Sequence, residues 1–121
     1  MSKEWGPDDI FDVLASETAR EILLLSRSES MSAQELAERC GTSKPTVYRR
    51  VQKLDEYDLL ETDLVVDDSG NHYRTFRTNT DRICFDIEED DWIVTVHFEE
   101  DFVERFVSAW TTLGQTENGN A

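Results

Sequence analysis

The sequence predicts an α+β fold in which four short helices precede two β-hairpins and a terminal amphipathic helix, all around one hydrophobic core. Three observations carry this expectation. Apolar residues recur at helical spacing through the first half of the chain; β-branched and aromatic residues gather between turn-forming clusters in the second; residues 102–113 return to helical spacing. With 121 residues and a hydrophobic content of 38%, the chain fits one domain, residues 1–113, followed by a tail, residues 114–121, with nothing to bury.

Pro7 with Asp8 and Asp9 reads as a helix start, and Ile10, Phe11, Val13 and Leu14 supply its buried side. A second helix is expected from Glu17 to Arg27. Its run Ile22, Leu23, Leu24, Leu25 points all round a helix, which predicts a central segment covered on several faces. Ser32 and Glu35 form an S-x-x-E capping box, and Ala33, Leu36, Ala37 and Cys40 recur at i, i+3, i+4, i+7, giving a third helix to about Arg39. Gly41 supplies a positive φ beyond it, Thr42 or Ser43 caps the next helix, and Pro45 is tolerated in that helix's first turn. The fourth helix runs to about Tyr57 on a buried stripe of Val47, Val51 and Leu54.

Leu59–Val66 and His72–Thr78 then read as a hairpin around Asp67, Asp68, Ser69, Gly70 and Asn71. A second pair, Ile83–Ile87 and Trp92–Phe98, alternates apolar and polar residues around an acidic turn and is expected to extend the same sheet. Phe102, Val103, Phe106, Val107, Ala109, Trp110 and Leu113 share an arc of about 160° on a helical wheel. So wide an apolar face on so small a domain calls for a second subunit. Phe11 and Leu14 are expected to join Phe102, Phe106, Trp110 and Leu113 in that dimer interface, with packing on the added sheet as the alternative.

Charge points to function. The 27 acidic residues outnumber 12 basic ones, for a net charge of -15, yet no acid falls between Cys40 and Leu54 or between Ser69 and Thr80. The first gap holds Lys44, Arg49, Arg50 and Lys53; the second holds His72, Arg74 and Arg77. Cationic islands in so acidic a chain fit a surface for nucleic acid rather than an accident of composition. On a wheel centred on Val47, the residues Thr46, Arg49, Arg50 and Lys53 fall on one flank away from the buried stripe. An ordinary solvated basic face is the bland alternative.

Ala37, Gly41 and Val47 reproduce the Ala-x3-Gly-x5-Val spacing of helix-turn-helix units: a small residue for close helix crossing, a turn glycine and an apolar anchor. The stretch SAQELAERCGTSKPTVYRRVQKLDEYDLLE resembles the winged helix-turn-helix regulators of the ArsR type, with Thr42 and Arg50 standing where apolar residues are common. With the acidic composition and the terminal helix, the chain is also similar to haloarchaeal winged-helix regulators of the reactive-oxygen response. These resemblances imply a winged helix-turn-helix with an extended antiparallel sheet and a C-terminal amphipathic dimerisation helix. They further imply a dimeric transcription factor for oxidative-stress genes, whose second motif helix enters the major groove.

Carried onto this sequence, Arg49 and Arg50 become candidates for base readout, and Ser43, Lys44, Thr46 and Lys53 for positioning on phosphates. His72, Arg74 and Arg77 belong to the wing, where at most one arginine enters a minor groove. The expected partners are double-stranded DNA, a second copy of the chain, and inorganic cations held between surface carboxylates and phosphates. A protein-interaction adaptor on the same fold is the rival reading, but the basic island disfavours it. An enzyme is not expected, for the chain has no Ser-His-Asp pattern, HExxH or glycine-rich phosphate loop. Cys40 and Cys84 lack metal-ligand spacing, so no cofactor or metal is expected and both thiols default to small hydrophobes. The start MSKEWGPDD has no apolar leader, and no apolar run approaches a membrane span, so a cytoplasmic protein is expected.

Overall fold

The computed structural model describes residues 2–99 of the chain. They run in the order β1 (Ser2–Trp5), α1 (Pro7–Leu14), α2 (Glu17–Leu25), β2 (Met31–Ser32), α3 (Ala33–Cys40), α4 (Lys44–Glu56), β3 (Leu60–Val66), β4 (His72–Thr78), β5 (Thr80–Ile87) and β6 (Trp92–Phe98). The α+β winged-helix architecture holds, and each expected helix and hairpin within this range is present. The expected terminal helix and tail, with Phe102, Phe106, Trp110 and Leu113, lie outside the described residues.

Local rules set the helix ends. Ser16 accepts the Ala19 N–H at 3.1 Å, and the Ser32 hydroxyl accepts the Glu35 N–H at 3.2 Å while the Glu35 carboxylate accepts the Ser32 N–H at 3.1 Å. Gly41 ends α3 at φ 65°, where a Cβ would be strained. Beyond α4, Asp58 takes φ 57°, a conformation that Asp tolerates better than most residues, and the Leu59 N–H returns to the Leu54 carbonyl at 3.0 Å.

These ends aim the apolar faces inward. Val47, Val51 and Leu54 of α4 meet Ala33, Leu36 and Ala37 of α3, Ala19 and Ile22 of α2 and Val13 of α1 in one buried cluster, closed by Met31, Leu59, Leu60, Phe76 and Val96. Each large aliphatic buried there is worth roughly 1.5–3 kcal/mol relative to exposure. The second helix is shorter and less covered than its leucines suggest. It stops at Leu25, and Leu24 is 76% exposed because a four-residue apolar run turns through more of the helix circumference than its neighbours cover.

The strands form two antiparallel three-stranded sheets, β2-β4-β3 and β1-β6-β5, instead of one extended sheet. The chain passes from β4 to β5 through Asn79 alone. Its N–H donates to the Leu59 carbonyl (3.3 Å) and its carbonyl accepts the Glu99 N–H (2.8 Å), so the crossing is satisfied outside either ladder. Two strands, β1 and β2, have no counterpart in the sequence pattern, being four and two residues long with no room for an alternation to register. β1 is nevertheless tied down. Lys3 pairs with Asp58 at 2.7 Å and lies over the Trp5 ring, which meets Tyr57 edge-on at 5.0 Å.

One polar junction links the far ends of several elements. The Ser26 hydroxyl donates to the Ile22 carbonyl (2.6 Å) and lies 3.0 Å from the Thr78 hydroxyl, whose residue's N–H donates to the Ser26 carbonyl (3.0 Å). Beside it the buried Glu99 carboxylate pairs with Arg27 from beyond α2 and stands 3.8 Å from Arg77 Nε of β4.

Candidate nucleic-acid interface

α4 presents the first cationic island. Ser43 caps it, accepting the Thr46 N–H at 3.3 Å, and Pro45 sits in the first turn, where no backbone donor is needed. Because Val47, Val51 and Leu54 are buried, Lys44, Tyr48, Arg49, Arg50 and Lys53 are turned outward, and all five are exposed. Thr46 is half-buried; its hydroxyl accepts from both Ser43 (3.0 Å) and Arg49 (3.3 Å), which steadies the arginine over the helix start. Lys53 stands 3.5 Å from Glu56, with both side chains about half exposed. A surface pair of that kind contributes at most about 1 kcal/mol and leaves the lysine able to exchange partners.

The cations fan around the helix. Arg50 and Lys53 border a cleft of about 290 Å³ shared with Asp9 and Asp12 of α1 and with Tyr57. On the opposite flank Lys44 and Tyr48 border a groove of about 440 Å³ with Tyr73 and Arg74 of β4 and with Glu35 and Glu38 of α3. Lys44 therefore works toward the wing, while Arg50 and Lys53 face carboxylates across a gap.

The wing is the β3–β4 hairpin, paired without a bulge from Leu60↔Thr78 to Val66↔His72. Its tip is closed by Asp67, whose carboxylate accepts the N–H groups of Ser69 and Asn71, both at 2.9 Å, while Gly70 adopts φ 84°. One of the two tip carboxylates thus serves the turn. His72 and Arg74 are exposed, on the wing face that Phe76 shares. Arg77, of the same expected set, stands apart from these two. It lies at the base of the hairpin, half-buried against Glu99, and its charge answers a carboxylate of the protein.

Tyr48 and Tyr73, which border the groove beside Lys44 and Arg74, are not among the candidates drawn from the sequence, which are basic residues and the hydroxyls of Ser43 and Thr46; the available signal was an aromatic residue interleaved with the bases on each element. Tyr48 rests edge-on against buried Phe76, with centroids 6.5 Å apart. Of the two dimer candidates among the described residues, Leu14 is half-buried and Phe11 is 38% exposed. The Phe11 ring stacks on Phe85 at 5.3 Å and meets Trp92 edge-on at 5.5 Å, making a surface aromatic cluster. Cys40 and Cys84 are free thiols, each half-buried, and burial, reinforced by Glu21, pushes the Cys40 thiol above its ordinary range. No helix among the described residues is long and apolar enough to cross a membrane.

Residues 14–63, which span α2, α3, α4 and the start of the wing, match the family model of a helix-turn-helix domain. Among solved structures the chain is similar to a possible transcriptional regulator from Methanosarcina mazei Go1, with 17% identity, a TM-score of 0.50, and coverage of 90% of this chain and 82% of that one. At that identity the likeness is one of fold. No curated protein matches the sequence.

Proposed function

We propose that the protein is a sequence-specific, DNA-binding transcriptional regulator that works as a homodimer on pseudopalindromic operators, by binding and not by catalysis. The observation that carries this reading is the outward cationic face of α4, exposed on a helix-turn-helix in a chain of net charge -15. The helix-turn-helix match over residues 14–63 and the fold likeness to a possible regulator support it.

In this reading α4 enters the major groove, Arg49 and Arg50 reach base edges, and Ser43, Lys44, Thr46 and Lys53 position the helix on phosphates. His72 and Arg74 serve the wing, and Arg77 stays with Glu99. Association of two copies is supported by the exposed Phe11–Phe85–Trp92 cluster and by the apolar spacing of Phe102, Phe106, Trp110 and Leu113. Two subunits would set their recognition helices about 34 Å apart, one turn of B-DNA. The surplus of carboxylates supports a protein adapted to concentrated salt, with inorganic cations bridging acids and phosphates. The resemblance to haloarchaeal regulators supports a place in the oxidative-stress response.

The test is binding to operator fragments selected from genomic DNA in concentrated KCl. Arg49→Ala and Arg50→Ala should each weaken specific binding by about 1–3 kcal/mol if each reads a base. Wild-type affinity in both variants would remove α4 as the recognition element, and failure of the unmodified protein to bind any fragment would favour the adaptor.

A further inference from the structure

We infer that the groove between the first turns of α3 and α4 and the edge of β4 is a clamp for one phosphodiester of the DNA backbone, with the hydroxyls of Tyr48 and Tyr73 as donors beside Lys44 and Arg74. This rests on the DNA-binding reading and names what the duplex places between recognition helix and wing.

The groove exists because β2 is short. β2 pairs with β4 only at Met31↔Phe76 and Ser32↔Thr75, so from Arg74 toward the wing tip that edge of β4 has no strand beside it among the described residues. The space left is about 440 Å³.

Tyr48, Tyr73, Lys44 and Arg74 on its walls carry donors that no described residue engages. Among the described residues the Tyr48 and Tyr73 hydroxyls, the Lys44 ammonium and the Arg74 guanidinium make neither a hydrogen bond nor an ion pair. Tyr48 is 51% exposed and Tyr73 is 42% exposed, a large aromatic area to leave on a surface without a ligand. Tyr48 is also aimed, since its ring is seated on Phe76, itself 3% exposed.

Donors, not net charge, select the occupant. Glu35, whose carboxylate also accepts the Ser32 N–H of the capping box, and Glu38 border the groove and balance Lys44 and Arg74 in charge. Lys44 and Arg74 are donors only, the two tyrosine hydroxyls can donate, and Gln34 adds one amide to the lining. Phosphodiester oxygens are acceptors only, so all four of the named donors can meet them at once. The half-exposed rings suit the apolar faces of the flanking sugars, and the groove is lined by both α4 and β4 of the wing hairpin, where a strand held by both would run.

The experiment measures affinity for mixed-sequence duplexes of about 30 base pairs, long enough for two half-sites, against salt concentration. Tyr48→Phe and Tyr73→Phe should each weaken binding about 3–10-fold, equally for every sequence, with the salt slope unchanged because a neutral donor releases no counterion. Lys44→Gln and Arg74→Gln should each change that slope by about one. Melting temperatures of the tyrosine variants should match wild type, because their hydroxyls bond nothing among the described residues. Wild-type affinity in the Tyr48→Phe/Tyr73→Phe double variant overturns the clamp, as does a loss confined to one sequence, which would signify base readout. If the unmodified protein binds no duplex, the DNA-binding reading fails; if Arg49→Ala weakens binding while the tyrosine variants do not, only the clamp fails.

Discussion

Cys40 closes the apolar stripe of α3, and its half-buried thiol is held above the usual range by desolvation and by Glu21. A raised folded-state value favours the neutral thiol. As pH climbs past the ordinary thiol range near about 8.5, the unfolded chain loses its proton first, so this group takes stability away on the alkaline side and leaves it untouched below. At neutral pH its thiolate fraction is small, and a Cys84→Ser variant, in which Cys40 is the remaining thiol, should react with iodoacetamide more slowly when folded than in denaturant. Equal rates would show that the site is open and ionised. Residue by residue, the legible positions are those whose role is local: Ser32, Gly41 and Ser43 act within four residues of themselves. Arg77 was illegible for the opposite reason. A charge in sequence carries no record of its partner, and Glu99 arrives from the far side of two strands.

At the scale of elements, Glu99 just past β6 ties the segment after α2 to β4. Its carboxylate is 8% exposed and meets Arg27 and Arg77, while the Glu99 N–H closes on Asn79. Removing the charge with Glu99→Gln should cost about 1–3 kcal/mol in urea unfolding, less than a fully buried pair because Arg27 remains 45% exposed. A cost below about 0.5 kcal/mol, the ordinary range for a surface change, would mean the junction is held by its backbone bonds alone. Helices and hairpins were readable because periodicity reports which face is buried. It does not report which strand lies alongside. The hairpin β5–β6 therefore read as an extension of the wing sheet, when it pairs with β1 in a sheet of its own.

The whole molecule carries a net charge of -15, with 27 acids over 121 residues. Such a surface repels itself in dilute buffer, and screening relieves the repulsion. The melting temperature should therefore rise as KCl is added from dilute buffer toward molar concentration. A flat or falling curve would show that the acids are locally compensated and that adaptation to salt is not their purpose. Against that background the exposed Lys44, Arg49, Arg50 and Lys53 of α4 stand out as a cationic face on an otherwise acidic chain.

Read alone, the sequence determined the helix-turn-helix, its caps, the wing hairpin and the identity of the exposed bases on α4. All of these follow from spacing along the chain, where 3.6- and 2-residue periods and turn chemistry act over short distances. Tertiary structure decided the rest: that Lys44 faces the wing while Arg50 and Lys53 face α1, that Arg77 belongs to Glu99, and that two tyrosines share a groove with Lys44 and Arg74. Those are relations between residues remote in sequence, set by how the packed faces of several elements rotate into one core, and no local pattern encodes them.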